Sequence, residues 1–421
     1  MERALPPSTL APQTSPLDGH AETPPALGRP VGLLLNIAHT LDHLVLLVFA
    51  SAVAAIASDF GLTRWEDLMP YTAGAFLMFG LGSIPSGRLG DLWGRRKAML
   101  LFFFGTAASC LLVASTQSPL QMAAALTLLG AFASIYHPVG IPMLVRDAAR
   151  PGAVIGWNNM AGNLGIALAA LLAGYAVSYG SWRLAFLLPG LVALILGLAF
   201  LRLAPRETLS PAKADHPRRQ ATPKANTQST ARALIVVTAA ASTGSILYNF
   251  TTNGNTELFR ERLNHLLADP TDLGLVLAAL YVVASCAQVI VGQLSDKMAL
   301  RPLFLTIVCT QTLFFMLAAY ASGWWFYVFA LGFMAAIFGA IPFTDTVMVR
   351  YVDDRQRSRM TGLRIGIAFI VSSVVIAGLG PAVKAAGFGI ALLSMAAVSI
   401  LTLVAIWQLP ADPANDRPSP A

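Results

Sequence analysis

Three titratable residues stand close together in a stretch that is apolar enough to cross a membrane. The stretch 36–57 reads NIAHTLDHLVLLVFASAVAAIA and contains His39, Asp42 and His43. A charged side chain at the centre of a membrane span costs roughly 2.5–3.5 kcal/mol on insertion scales, so ionisable residues there mark functional sites. An apolar environment favours the neutral form of a carboxyl group, so a carboxyl group there can take up and release protons. We therefore predict a proton site at Asp42, with the two histidines beside it.

The spacing places these residues together on a helix. On an α-helix, positions 39, 42 and 43 fall within one broad face, and Asn36 and Thr40 share that face. The pattern predicts a polar stripe that faces a cavity in the protein and not the lipid. Another interpretation stays open, in which either histidine only donates a hydrogen bond to a backbone carbonyl or to Asp42.

A further histidine lies in the segment IYHPVG, where Tyr136 and His137 precede Pro138. Pro138 and Pro142 lack backbone N–H groups, so we expect a kink in this span and carbonyl groups that need other partners. A histidine at such a kink is predicted to line a cavity, although a packing role fits the sequence equally well.

Several other apolar spans also contain uncharged polar side chains at helical spacing, which we expect to line the cavity. These side chains could instead hydrogen-bond one helix to another. Because the predicted cavity contains no Lys or Arg near mid-membrane, a neutral, zwitterionic or cationic organic substrate is favoured over an anion. The helix that contains Thr252 and Asn253 is expected to be interrupted near Gly254, as helices that line the cavities of carriers often are. The predicted cavity residues are Asn36, Tyr136, His137, Asn159, Asn163, Tyr248, Asn249, Thr252, Asn253, Tyr281 and Gln288.

The elements that must position these residues are long apolar helices. Hydrophobic residues make up 56% of the 421-residue chain and charged residues only 12%, a composition typical of multi-pass membrane proteins. The fold class is therefore predicted to be an all-α membrane protein with twelve transmembrane helices. The predicted spans are 31–57, 69–88, 98–115, 119–145, 153–178, 183–203, 232–256, 272–294, 302–321, 323–349, 359–383 and 387–409.

The chain divides into two halves of six spans each. We predict a bundle over 31–203, a polar linker over 204–231 and a second bundle over 232–409. Residues 1–30 are predicted to be a disordered cytoplasmic tail, and residues 410–421 a C-terminal cytoplasmic tail. Most of the 28 Lys and Arg residues fall in segments on one side, which predicts that both termini are cytoplasmic and explains the net charge of +7 without a nucleic-acid partner.

The halves repeat a loop sequence. GRLGDLWGRRK (87–97) joins spans two and three, and GQLSDKMALRP (292–302) joins spans eight and nine. A duplicated six-helix unit is typical of transporters, since two similar halves can rock about a central site.

The motif of Gly87, Asp91, Gly94, Arg95 and Arg96 resembles the signature loop of the major facilitator superfamily, and the copy that contains Asp296 lies where its second half has one. The resemblance covers residues 31–409 and implies two pseudo-symmetric six-helix bundles. It also implies a gating role for this loop. Asp91 is expected to lie against the N-terminus of helix eleven, near Arg364. Asp345 and Arg350, about one helical turn apart, are expected to form a charge pair near the inner end of span ten, and a direct role in coupling stays open.

A narrower likeness concerns the segments HTLDHL and GAFASIYHPVGIPMLVR. They are similar to the bacterial branch that includes fosmidomycin-resistance-type exporters, which implies export across a bacterial inner membrane. One departure is that exporters of the drug/proton antiporter type carry a Gly-Pro pair in helix five. Span five here has no proline.

These observations predict a proton-coupled secondary transporter for a small organic molecule, working as a monomer in the lipid bilayer, with export favoured. Uptake of a nutrient and transport of a transition metal remain alternatives, since two histidines one turn apart with Asp42 and His137 suit such an ion. A receptor or scaffold on the same fold is a further class. No P-loop, HExxH or Cys/His nucleophile pair is present, so an enzyme is not expected. No cofactor, resident metal or disulfide is predicted, and the three cysteines lie scattered in apolar segments.

Overall fold

The computed structural model describes residues 28–146, 148, 151–205, 227–351 and 354–410. Side chains at 151–153, 227–230, 296, 345, 348–351 and 354–366 lie outside this description. Within the described ranges the chain is helical, with no β-strand. The helices are α1 (Arg29–Asp59), α2 (Ala73–Trp93), α3 (Arg95–Ala114), α4 (Pro119–Ala133), α5 (Ile141–Val145), α6 (Pro151–Ser178), α7 (Leu184–Leu203), α8 (Thr227–Leu263), α9 (Pro270–Lys297), α10 (Leu300–Tyr320), α11 (Gly323–Tyr351) and α12 (Asp354–Trp407).

Eleven stretches of the described chain are long and apolar enough to cross a membrane by length and composition. Twelve spans were expected. The difference arises in the stretch Ile367–Trp407, which is 41 residues long and covers most of the last two predicted spans. Gly387 interrupts α12 with φ 75° and ψ 165°, a conformation that glycine adopts without steric cost. This break lies at the predicted boundary between the two spans.

Apolar side chains cover the outer surface of the helices as well as the core. Leu111, Ile195, Val283 and Leu401 are among the large exposed examples. A soluble protein rarely exposes so many contiguous apolar residues, whereas the hydrocarbon core of a membrane accepts them.

Two predicted irregularities have different outcomes. Span four is interrupted as expected, since a π-helical turn at Tyr136–Gly140 separates α4 from α5. The predicted interruption near Gly254 is wrong, because α8 runs unbroken from Thr227 to Leu263. A single glycine costs a helix about 1 kcal/mol relative to alanine, and packing against neighbouring helices readily offsets that cost.

The two halves of the chain pack together through α6 with α9, α2 with α12, and α1 with α8. At one end of the molecule, which we call the closed end, side-chain and backbone contacts join the halves. The Trp65 ring stacks on Phe388 with centroids 6.0 Å apart, and Lys384 Nζ lies 2.5 Å from Asp67 Oδ1. The Ser178 hydroxyl donates to Asp269 Oδ1 over 2.9 Å. The halves are thus tied together where α1 and α6 end.

Glycine permits the tightest of these approaches. Gly380 of α12 packs directly on the backbone carbonyl of Glu66, and a Cβ atom at this position would overlap that carbonyl. Gly174 of α6 and Gly274 of α9 also meet closely, because a Cβ on Gly174 would lie 3.3 Å from the Gly274 Cα. The closed end therefore depends on backbone contacts that larger residues would prevent.

Candidate functional site

The predicted proton site lies on the part of α1 that packs against α6. His39 is 2% exposed and Asp42 is fully buried, while His43 is half-buried. The expectation that 39 and 43 share a helix face is confirmed, since their Nε2 atoms lie 3.1 Å apart. Gly162 of α6 allows this packing, because a Cβ there would lie 2.8 Å from the His39 ring.

His137 reaches the same place from the π-helical turn. Its Nε2 lies 3.5 Å from Asp42 Oδ2, and its ring centroid lies 5.0 Å from that of His39. The His137 side chain is 37% exposed while Asp42 has no exposed surface. His137 is thus the group that separates the buried carboxyl from open space.

One hydrogen bond fixes the orientation of His39. Its Nδ1 lies 2.7 Å from the carbonyl oxygen of Asn158, and a carbonyl only accepts, so this nitrogen carries a proton. In a neutral ring, Nε2 is then an acceptor directed at His43. The ring also stacks on Tyr136, with centroids 4.8 Å apart and 20° between the planes.

A buried hydrogen-bond network lies behind His39. The Tyr136 hydroxyl donates to the Leu35 carbonyl over 2.8 Å, and Asn158 Nδ2 donates to the Tyr136 hydroxyl over 2.7 Å. The same Nδ2 lies 3.1 Å from Asn36 Oδ1. Sequence analysis did not single out Asn158, although its neighbour Asn159 was predicted. The network holds α1, the π-helical turn and α6 in register around the histidines.

A cavity of about 420 Å³ lies between the two halves of the chain. Its volume falls in the range of pockets that hold drug-sized molecules. His39 and His43 line it together with six of the predicted cavity residues: His137, Asn159, Asn163, Tyr248, Asn249 and Gln288. The other predicted members, Asn36, Tyr136, Thr252, Asn253 and Tyr281, are not among the described lining residues.

Aromatic and uncharged polar groups make up much of the remaining lining. Sequence analysis did not predict these residues, because most stand singly in apolar helices. They are the aromatic residues Phe76, Phe79, Phe304, Phe343 and Phe369 and the polar residues Ser245, Gln311, Thr344, Ser372 and Thr402. No Asp, Glu, Lys or Arg occurs among the lining residues that the structure describes.

Polar side chains on the two sides of the cavity differ in kind. The N-terminal half contributes the three histidines and two amides, Asn159 and Asn163, whereas the polar lining residues described in the C-terminal half are amides and hydroxyls. There Asn249 Nδ2 donates to the Ser372 hydroxyl over 2.8 Å, and Ser245 Oγ lies 2.9 Å from Ser372 Oγ. At the cavity a hydrogen bond crosses between the halves, in which Asn163 Nδ2 donates to Gln288 Oε1 over 2.5 Å.

The three imidazoles form the only His/Cys/Asp/Glu group of metal-binding geometry within the described residues. One ligand nitrogen from each lies within 4.8 Å of the others. Such a cluster can share protons, and neutral imidazole is also a common ligand of transition metals. Asp42 provides the carboxylate that orients His137 in either case.

The residues of the predicted gating loop lie at the join between α2 and α3. Gly94 forms the break with φ 89°, a conformation that favours glycine. Arg95 Nη1 lies 3.3 Å from the Pro142 carbonyl, and Arg96 donates to the Leu201 and Ala204 carbonyls at the end of α7. These arginines thus hold helix ends within their own half of the chain.

The structure describes only two of the remaining predicted gating residues with their side-chain surroundings. Gly87 packs near Pro138, and Asp91 is exposed. The side chains of Asp296, Asp345, Arg350 and Arg364 lie outside the described residues, so the expected pairs of Asp91 with Arg364 and of Asp345 with Arg350 stay predictions.

The family follows from a match over nearly the whole described chain. The sequence model of the Major Facilitator Superfamily matches residues 35–264 and 258–421. The chain belongs to the Major Facilitator Superfamily. Members of this superfamily are membrane transporters and not enzymes, so the chain is a multi-pass membrane protein of the transport class.

Two curated relatives match parts of this superfamily member. A probable actinorhodin transporter of Streptomyces coelicolor is 31% identical over 211 residues, which is 47% of this chain and 36% of the relative. The uncharacterized transporter YgaY of Escherichia coli O157:H7 is 29% identical over 153 residues, or 36% of this chain and 38% of the relative. The chain therefore spans a little over a third of the length of these relatives.

Solved structures of the superfamily share the fold. A bacterial homologue of the human lysosomal transporter Spinster, in an inward-facing and occupied conformation, has a TM-score of 0.66 at 16% identity. The match covers 90% of this chain and 94% of the homologue. The same homologue in its inward-facing and unoccupied conformation gives a TM-score of 0.64.

Proposed function

We propose that the protein is a proton-coupled secondary transporter that moves a small organic molecule by alternating access, with export favoured. It crosses a bacterial inner membrane twelve times, in two six-helix bundles (31–203 and 232–409) with both termini in the cytoplasm. The break at Gly387 supports counting α12 as two spans. The distribution of Lys and Arg supports the orientation. The resemblance to fosmidomycin-resistance-type exporters supports the direction.

The observation that carries the proposal is the position of Asp42 behind His137. The carboxyl is completely buried, and neither of its oxygens has a hydrogen-bond partner among the described residues. Its nearest charged or titratable neighbour is His137, 3.5 Å away, which also lines the cavity. A proton that enters the cavity reaches His137 first and Asp42 through it. Loading this pair changes the charge on one wall of the cavity.

Coupling follows from that change of charge. Buried charge is costly in an apolar surrounding unless it is paired, so the preferred conformation of the halves depends on how many protons the Asp42–His137–His39–His43 group holds. Cargo that contacts both halves biases the same equilibrium. Protons and cargo then drive each other across the membrane, because both act on one two-state element.

The cargo is proposed to be an uncharged aromatic molecule. Six aromatic rings among the described lining residues, including Tyr248, offer flat apolar surface, and the amides and hydroxyls of the C-terminal half offer hydrogen bonds. A probable transporter of actinorhodin among the relatives is in keeping with a small-molecule cargo.

The test measures accumulation of a panel of uncharged, cationic and anionic aromatic compounds in cells with and without the protein. Each compound is measured with an intact proton gradient and with an uncoupler, for the wild type and for Asp42→Asn. Asp272→Asn is the matched control, since Asp272 is an exposed carboxylate in the first turn of α9. A compound whose accumulation changes only with both the gradient and Asp42 present supports the proposal, and the sign of the change decides export or uptake.

The other outcomes separate the alternatives. Gradient-driven movement that persists unchanged in Asp42→Asn would overturn the assignment of the proton site. If no organic compound moves, a panel of transition-metal ions tests whether the three histidines handle metal cargo. A protein that moves neither and still performs its role in the cell would be a scaffold.

A further inference from the structure

One face of α8 runs from the central cavity towards the closed end and is polar along its whole length. Ser245, Asn249, Asn253, Thr256 and Arg260 are spaced so that all five fall within an arc of about 80° on a helix. Ser245 and Asn249 line the central cavity. Thr256 and Arg260 line a second, small cavity of about 10 Å³, roughly the space of one water molecule.

The small cavity shares four wall helices with the central one. It is enclosed by α1, α6, α8 and α9, and each of these helices also contributes to the central cavity. On α1, Leu47 lines the central cavity and Ser51 lines the small one, so four residues, or about 6 Å along the helix, separate them. The two cavities thus lie on one path that is closed over a short distance.

Asn253 lies on α8 between the two cavities. It is 1% exposed, and its Nδ2 donates to the Asn249 carbonyl over 3.1 Å. Its Oδ1 is buried and has no hydrogen-bond partner among the described residues. Leaving a buried acceptor unpaired is destabilising, and an apolar residue at this position would avoid that cost.

From these contacts we infer that Asn253 binds cargo in the state in which the closed end has opened. This inference rests on the proposed function. When α6 and α9 separate at Gly174 and Gly274, the small cavity widens and joins the path along α8. The Oδ1 of Asn253 then accepts a hydrogen bond from an O–H or N–H group of the cargo, and Thr256 offers a hydroxyl one turn further on. The cargo is accordingly an uncharged molecule that carries at least one hydrogen-bond donor.

The test uses cysteine accessibility in the full-length protein. In a background of Cys286→Ser and Cys309→Ser, Asn253→Cys is compared with Thr251→Cys. Thr251 is buried on the same helix and bonds to the Leu247 carbonyl, away from the polar face. A membrane-impermeant methanethiosulfonate is applied from the side of the closed end. Each variant is also made with Gly174→Leu, which pushes α6 and α9 apart.

We expect Asn253→Cys to react at least tenfold faster than Thr251→Cys once Gly174→Leu is present. A compound identified as cargo should slow that reaction. Equal rates for the two cysteines in both backgrounds would overturn the placement of Asn253 on the path.

Binding is tested separately with Asn253→Leu and Asn253→Ser. The Leu variant removes the acceptor at similar volume, and the Ser variant keeps an acceptor. We expect the transport rate of Asn253→Leu to fall at least tenfold, while its affinity for cargo with the closed end closed stays unchanged. Asn253→Ser should recover part of the lost transport rate. If the wild type transports a compound and Asn253→Leu transports it at the same rate, this inference is overturned and the proposed function stays intact. Failure of the wild type to move any compound would instead count against the proposed function.

Discussion

His137 Nε2 lies 3.5 Å from Asp42 Oδ2, and this is the polar contact that the described residues give the buried carboxyl. His137 comes from the turn between α4 and α5, whereas Asp42 comes from α1. Movement of the turn against α1 therefore changes the distance between the two groups. The proposed proton site is thus built across two elements and can respond to the conformation of the bundle, which a site within one helix could not do.

Replacing Asp42 or His137 is expected to uncouple cargo transport from the proton gradient. Asp42→Asn and His137→Gln should each abolish accumulation against a gradient, while exchange of labelled for unlabelled cargo continues, because exchange needs no net proton movement. The measurement compares accumulation with exchange in proteoliposomes. Asp272→Asn should retain both activities, and loss of exchange in Asp42→Asn would indicate a structural role instead.

The hydrogen bond between Asn163 and Gln288 crosses the two halves and is expected to bias their arrangement. A net hydrogen bond is worth about 0.5–1.5 kcal/mol, so Gln288→Leu should shift the balance of states by about 2- to 10-fold towards opening of the closed end. Labelling of Asn253→Cys reports this shift. Asn159→Leu serves as the control, since Asn159 lines the same cavity and no hydrogen bond to the C-terminal half is seen for it among the described residues. An equal shift in both variants would count against a specific effect of the bond.

Gly380 is expected to be essential for closing the closed end. A side chain there meets the backbone carbonyl of Glu66, which cannot move aside like a flexible side chain. Gly380→Leu should fold and reach the membrane yet transport at under a tenth of the wild-type rate, because the halves cannot close. Gly378→Leu is the control, since a Cβ at Gly378 meets no atom within 4 Å. The readout is transport rate together with labelling of Asn253→Cys.

The closed end is also expected to respond to acid through Asp269. The backbone N–H of Thr271 and the hydroxyl of Ser178 donate to this carboxylate and hold the pKa of Asp269 below its ordinary value. A lowered pKa in the folded protein means that the contact is fully present above the ordinary value of about 3.9. It is lost as the pH falls through the lowered value.

The contact of Asp269 should therefore cause no pH dependence between about 5 and 8 in the opening of the closed end, measured by labelling of Asn253→Cys. Asp269→Asn should raise labelling severalfold throughout that range, since the amide accepts more weakly than the carboxylate. Asp272→Asn again provides the control, because Asp272 lies in the same helix turn without the Ser178 contact. A wild-type response centred near neutral pH that vanishes in Asp269→Asn would contradict this assignment.

The apolar spans could be predicted because their signal is local. Runs of about 20 apolar residues need no knowledge of their partners, and the one-turn spacing of His39 and His43 places them together on any helix. The loop at Gly94 was likewise readable from its residues. The count of twelve spans stays a prediction, since α12 extends from Asp354 to Trp407 with a break in its backbone at Gly387.

The composition of the cavity wall was only partly predictable for a different reason. Asn158 faces the histidines, and Asn159 the cavity, because Gly162 and Gly165 set the rotation of α6 against α1. His137 reaches Asp42 because the π-helical turn adds a residue to the helix. Both effects depend on contacts between helices that are about 20 to 120 positions apart in the sequence.

The uneven distribution of polar groups around the cavity has a consequence for how new specificities arise. Ionisable lining residues come from the N-terminal half, and neutral amides and hydroxyls come mainly from the C-terminal half. Under the proposed function, the proton site and most of the polar contacts to cargo are therefore encoded in separate stretches of the gene. A recombination event within the linker can exchange one half without the other. The same N-terminal half can then be combined with C-terminal halves that bind chemically different cargo.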